Sequence, residues 1–257
     1  GFMEYTYQTA LTLKDMGYNV TMLHNEKDFV GVEQWMGEEY ASLPHKNVEK
    51  VNVEIGPADF LFIPELMTSI MLKTKKFPCK RVVILQDKNF LTEMMPIGGN
   101  FANLGITDVI TTTKAQESFL NEYFPNVRTH IVSPVVKKVF RPEIEPQKMI
   151  INIISKNQTD INKIIKPFYW KHPMYKWVSF RELRNLPIET FADAIREAAI
   201  TICIDDDTAF GYTILESMRC GSLTLAKIPN HLSDWMVEKD ENGNESLTNA
   251  CLWFDDI

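Results

Sequence analysis

Residues 200–228, ITICIDDDTAFGYTILESMRCGSLTLAKI, constrain the fold more than any other stretch of the chain. Ile200, Thr201, Ile202, Cys203 and Ile204 form a short β-branched apolar run that three aspartates end abruptly, the pattern of a buried strand. A loop through Thr208, Ala209, Phe210 and Gly211 follows. Residues 212–220 then put Leu215 and Met218 on one helical face, with Gly221 as a stop signal, and residues 223–228 read as the next strand. A strand–loop–helix–strand unit of this kind belongs to an open α/β sheet, where ligands bind at the carboxyl ends of strands beside helix N-termini. Gly211 opens the helix, where free N–H groups and the dipole favour an anion such as a phosphate. Glu216 lies four residues after Tyr212 on a short helix that must be largely buried, and a buried carboxylate needs a partner.

The residues Phe210, Gly211, Leu215, Glu216, Ser217, Met218, Cys220, Gly221 and Ser222 together resemble the donor-binding segment of retaining GT-B glycosyltransferases, the group 1, family 4-like enzymes. In that family two glutamates eight positions apart flank the segment, and the second holds the ribose of the donor. Glu216 matches the second, whereas the first falls on Thr208, so the departure lies at the contact made to the transferred sugar. A buried α/β crossover with a satisfied glutamate is the alternative reading of the same residues.

The chain of 257 residues is 45% hydrophobic, enough for one large domain or two small ones. Its net charge of -7 disfavours a broad electrostatic grip on nucleic acid. Cys79, Cys203, Cys220 and Cys251 show no metal spacing and read as reduced thiols of a cytoplasmic protein. No run approaches the roughly 18 apolar residues that span a bilayer.

The chain opens on a helix with Tyr7, Ala10, Leu11 and Leu13 at helical spacing, ended by Gly17, and a strand follows over 18–24. A doubly wound domain starts with a strand, so further residues are expected upstream. Residues 1–23 resemble the family's opening, where a glycine loop and a glutamate approach the acceptor; Gly1 and Glu4 take those places, and Glu4 equally reads as a helix N-terminal acid. Residues 27–43 suggest an irregular helix, 58–63 a buried strand ended by Pro64 and Glu65, 66–75 an amphipathic helix and 81–85 another strand. Gln86 and Asp87 stand at its carboxyl end, where the family places acceptor-side polar groups and where Asp87 also reads as a turn cap. Residues 95–100 suggest an acceptor lid. Residues 108–112 and 128–132 are strands around a helix over 114–124, and Phe140 and Pro142 keep the places of the family's linker. Pro142, Glu143, Glu145 and Pro146 form a polar hinge.

The expected domains are therefore 1–142 and 147–257. The second opens on an apolar strand over 149–154, followed by Ser155 and Lys156. The resemblance gives Lys156 and Lys163 the role of the family's basic pair, which neutralises the donor diphosphate as it departs; solvated helix positions are the alternative. Residues 161–170 are helical, 175–180 a strand, and 180–186, with Phe180, Arg181 and Leu183, the loop that in the family contacts the nucleobase. Phe191, Ala194, Ile195 and Ala198 stripe a helix over 187–199. A short helix over 230–236 and an apolar segment over 250–254 close the reading.

The resemblance implies a GT-B architecture of two Rossmann-like domains with parallel sheets facing across a cleft, with terminal elements lying outside the sequence. It implies a donor of the UDP- or GDP-sugar type bound by Ser155, Phe180, Arg181, Leu183, Thr208, Ala209, Phe210, Gly211, Tyr212, Thr213 and Glu216. No metal is required on this reading, nor any cofactor beyond the donor. The acceptor is open among saccharide, lipid-linked glycan, protein and modified nucleobase. An epimerase or hydrolase of nucleotide sugars, and a non-catalytic GT-B-like binding subunit, are the rival functions.

Overall fold

The computed structural model describes residues 2–26, 29, 31–143, 147–206 and 210–255. Two compact units divide the chain, Gly1–Glu33 with Glu38–Pro134, and Gln34–Gly37 with Val135–Ile257. The first contains α1 (Phe2–Asp15), β1 (Met22–His24) and, beyond the four-residue helix α2 (Glu33–Met36), β2 (His45–Asn47), β3 (Phe60–Pro64), α3 (Thr68–Lys73) and β4 (Lys80–Leu85). It continues with α4 (Lys88–Met94), α5 (Phe101–Leu104), β5 (Asp108–Thr111), α6 (Lys114–Tyr123) and β6 (Arg128–Ile131). The second contains β7 (Lys148–Ile154), α7 (Gln158–Lys171), β8 (Ser179–Leu183), α8 (Ile188–Glu197), β9 (Ala198–Cys203), α9 (Tyr212–Arg219) and β10 (Leu223–Lys227), then β11 (Val237–Lys239), β12 (Glu245–Leu247) and β13 (Leu252–Phe254).

In the first unit β3, β4, β5 and β6 form a parallel sheet in chain order, and β1 pairs with β2 in a separate parallel ribbon. Strand β4 is buried from Arg81 to Leu85, as an apolar run covered on both faces requires. Val83 and Leu85 pack with Ile63, Met71, Leu91 and Phe101. Arg81 is buried among them because its guanidinium donates to the carbonyls of Met71 (3.0 Å) and Gly105 (2.9 Å), which terminate two helices.

The second unit has five parallel strands in the order β8-β7-β9-β10-β13, and β11 and β12 form an antiparallel hairpin. The chain runs outward from β7 to β8 and then returns past β7 to β9, so the direction of strand addition reverses between β7 and β9. In open α/β sheets that reversal opens a crevice at the carboxyl ends of the two strands. Asn152 in β7 is fully buried; its side chain donates to Ala194 O (2.9 Å) and accepts from Arg181 Nε (2.9 Å).

Several elements depart from the sequence reading. The change of unit falls between Pro134 and Val135 rather than at the hinge over 142–146, because residues 135–143 pack on the second unit. Phe140 is buried with Leu183, Ile188 and Ile195, and Arg196 donates to Val139 O (2.6 Å). The helix expected over 27–43 is broken into α2 and a 3-10 turn at Glu38–Ser42, since Gly37 between them has φ 113°. The strand expected over 175–180 is a 3-10 turn at Pro173–Tyr175 followed by β8, shifted toward Leu183. The short helix over 230–236 shrinks to a turn at Asp234–Met236.

Candidate functional site

Ser155 and Lys156 follow the carboxyl end of β7, and Phe210 to Glu216 lie between β9 and β10. Ser155 follows β7 and is buried, with Asp205, which follows β9, accepting from its hydroxyl at 3.0 Å. The same carboxylate accepts from the backbone N–H of Lys156 at 3.0 and 3.2 Å. Asn157 caps α7 by accepting from Thr159 N–H (3.0 Å). Asp206 turns the other way, to Lys227 at the end of β10 (2.7 Å), and this hydrogen bond holds its carboxyl below the usual range. Asp205 and Asp206 thus turn to the ends of β7 and β10, the two strands that flank β9. Asp207, Thr208 and Ala209 lie outside the described residues, as does Gly1.

The start of α9 is built by packing. Gly211 has φ 81°, and a Cβ placed there would stand 2.4 Å from Met236 Cε and 2.9 Å from Trp235 Cζ2. Only glycine meets both demands. The Trp235 indole donates to Phe210 O (2.7 Å), fixing the peptide that leads into the helix, and the Phe210 and Tyr212 rings lie 5.3 Å apart. Tyr212 and Thr213 form the half-buried first turn, and Ser217 donates to Thr213 O (2.7 Å). Glu216 is 6% exposed, on the second turn. Burial pushes the thiol of Cys220 up to about 11 and that of Cys203 up to about 12, with the Glu216 carboxylate adding to the rise in both. All four cysteines are free and buried. Raised, buried thiols have little thiolate character, so they serve packing rather than nucleophilic chemistry.

Other predicted residues are occupied elsewhere. Lys163 lies on the exposed face of α7 and pairs with Asp160 on its own helix (2.8 Å). The expected nucleobase loop over 180–186 is corrected: Phe180, Arg181 and Leu183 belong to β8. Phe180 packs on Phe168 and Tyr169, and Leu183 is in the core. Arg181 donates to Asn152, Ala194 O and Glu197, so its guanidinium is committed to joining β7, β8 and α8. Of residues 180–186 only Arg184, Asn185 and Leu186 lie in the loop that leaves β8, with Asn185 at φ 50°.

The first unit gathers polar groups at the carboxyl ends of β3, β4 and β5. Glu4 lies half-buried in the first turn of α1 and accepts from Gln8 (3.3 Å). Gln86 is buried and its side chain donates to Thr6 (3.4 Å), while its carbonyl accepts from Gln116, whose own carbonyl takes the N–H and hydroxyl of Thr112. Asp87 caps α4 through Asn89 N–H (2.8 Å).

Glu65 is the residue the sequence did not single out. It is fully buried at the end of β3, and one carboxyl oxygen accepts from the N–H groups of Gln86 (3.1 Å) and Asp87 (2.9 Å). The other oxygen has no hydrogen-bond partner among the described residues. Burial pushes its pKa up to about 7 against the pull of those N–H groups, with the Asp87 charge adding to the rise. An acid directly after an apolar strand was the available signal.

No protein-family model matches the chain, and no curated protein is detectably similar in sequence. Solved structures are similar in fold. Sucrose-phosphate synthase from Thermosynechococcus elongatus superposes with a TM-score of 0.56 at 10% identity, over 88% of this chain and 75% of that one. The pneumococcal O-GlcNAc transferase GtfA, solved in complex with UDP and GlcNAc, gives 0.51 at 9% identity, over 73% of this chain. The fold is that of the GT-B glycosyltransferases. The chain spans 45% of the length of GtfA, less than half of that protein. At these identities the likeness speaks for architecture alone, that of parallel α/β sheets.

Proposed function

We propose that the chain is a glycosyltransferase that moves a sugar from a nucleoside-diphosphate sugar of the UDP or GDP type to an acceptor, with retention of configuration. The observation that carries this reading is the reversal between β7 and β9. The Ser155–Asp205 pair, the Lys156 loop and the Gly211-capped start of α9 all follow the carboxyl ends of these two strands, with Glu216 buried in the second turn of α9. Helix starts and strand ends at such a point favour a phosphate-bearing ligand.

On this reading Glu216 takes the ribose hydroxyls of the donor. The Lys156 ammonium meets charge that develops on the departing diphosphate, with Phe210, Gly211, Tyr212 and Thr213 beside it. Glu4, Gln86 and Asp87 serve the acceptor side. The UDP and GlcNAc held by GtfA make a uridine nucleotide the first probe. A second reading, a non-catalytic nucleotide-binding unit, is favoured by the pairing of Lys163 with Asp160 and by Asp205 already occupying the Lys156 N–H.

Titration calorimetry with UDP and GDP tests the donor site. Glu216→Gln is expected to weaken binding about tenfold, the scale of one charge-assisted hydrogen bond. Unchanged affinity in the folded variant would remove Glu216 from the site. Sugar transfer or release by the wild type, followed by mass spectrometry, separates the transferase from the binding unit.

A further inference from the structure

From Ile161 to Arg181 the chain has no Asp or Glu; Lys163 and Arg181 are paired with Asp160 and Glu197, and Lys166, Lys171 and Lys176 are the other charged residues, all exposed, in a protein whose net charge is -7. Helical spacing puts Lys163, Lys166 and Trp170 on one exposed stripe of α7, which runs into the 3-10 turn at Pro173–Tyr175. Around that turn Trp170 and Met174 are each 76% exposed, Trp177 62% and Tyr175 41%. Large apolar side chains exposed singly are ordinary, but four within eight residues, flanked by exposed lysines, form a patch that calls for a partner.

We infer that this face of the second unit docks on an anionic lipid bilayer. The chemistry is complementary. Indole rings and a thioether enter the headgroup boundary, while lysine stems lie along it with their ammonium groups on lipid phosphates and carboxylates. A single nucleic acid strand is the other polyanion to consider, and it stacks bases on aromatic faces. Here the Tyr175 and Trp177 rings are inclined at 51°, and the most exposed side chain of the turn, Met174, has no π face. No helix among the described residues is long and apolar enough to cross a membrane, so the contact is peripheral. With the chain acidic overall, the local cationic field acts within about 10 Å and strengthens only on contact.

Co-sedimentation with vesicles of phosphatidylcholine containing about one-third phosphatidylserine tests the surface. The protein is expected to bind them, to release as salt rises, and to ignore pure phosphatidylcholine. Its tryptophan emission shifts to the blue on binding. Each of Lys166→Glu, Lys171→Glu and Lys176→Glu weakens binding about fivefold or more. Trp170→Ser with Trp177→Ser abolishes it, and Tyr123→Ser, exposed on the first unit, leaves it unchanged. These side chains are exposed, so the variants are expected to keep the wild-type circular dichroism. Three results would each overturn the inference. One is no vesicle binding at low salt, and another is binding indifferent to the substitutions. The third is occupation of the face by a labelled oligothymidylate or by a second copy of the chain, seen by sedimentation velocity, with vesicles ignored.

Discussion

Replacing Glu65 by Gln isolates the cost of a buried carboxylate. The wild-type group has its pKa raised from 4.5 to about 7, chiefly by burial, so the folded protein holds a proton that the unfolded chain has released. The sign follows: this stability is fully present below the ordinary carboxylate pKa and is lost as pH rises through about 7. A shift of that size corresponds to about 3 kcal/mol. Glutamine keeps a carbonyl that accepts from Gln86 and Asp87 N–H but cannot ionise. Near pH 4.5 the two proteins should differ by less than about 1 kcal/mol, and near pH 8 the balance should move toward the variant by about 3 kcal/mol. All five tryptophans belong to the second unit, so indole fluorescence reports on this change only indirectly. Amide hydrogen exchange of peptides covering β4 and the start of α4 reads it directly. If the difference between wild type and variant is the same at both pH values, Glu65 ionises in the ordinary range and the reasoning fails.

Other outcomes follow from the same geometry. Gly211→Ala forces a left-handed residue and pushes on buried Met236, and should cost roughly 2–5 kcal/mol, read as a drop in the urea midpoint of Trp fluorescence; a change under about 1 kcal/mol would contradict it. Lys156→Ala should lower turnover more than nucleoside affinity, since its charge acts on the departing diphosphate; equal loss of nucleoside and nucleoside-diphosphate binding with turnover intact would end that role. Asp108 is buried, which raises its pKa, but Thr107, His130, Arg128 and Lys80 outweigh burial and hold it well below the usual range. Its contribution is present above the ordinary carboxylate pKa and lost as pH falls. Asp108→Asn should therefore cost roughly 1–2 kcal/mol at neutral pH, screened by the exposure of its cations, and flatten the acid limb of the stability curve.

The sequence was legible where burial writes a run of one kind. Strands β4, β7 and β9 and helix α9 were all recognisable because parallel strands covered on both faces are continuously apolar, and because Gly211 and Gly221 bracket the helix. Strand β8 was misplaced for the opposite reason. The aromatic residues at 175–180 look strand-like, whereas Arg181 and Glu182 become strand residues only because Asn152, Glu197 and Arg184 meet their charges. Glu65 showed only as an acid after an apolar strand, because the partners that make it a site lie 21 and 22 residues away. Of the residues expected on the donor side, Ser155 follows a strand end and residues 210–216 lead into a helix, while the side chain of Arg181 is turned to the sheet. That difference depends on which carbonyls a guanidinium finds after folding, which no local pattern records.

The strand order of the second unit also has a consequence for synthesis. The sheet of the first unit is complete once β6 has emerged, but β10 keeps an open edge until β13 arrives, bringing Trp253 against Trp235 and the buried Met236. Until then the segment that holds Gly211 in place packs against an unfinished wall. As domains fold in the order they leave the ribosome, the first unit is formed early and the start of α9 in the second is among the last parts to become rigid. Its exposed β10 edge is the period of greatest risk for mispairing with another nascent strand.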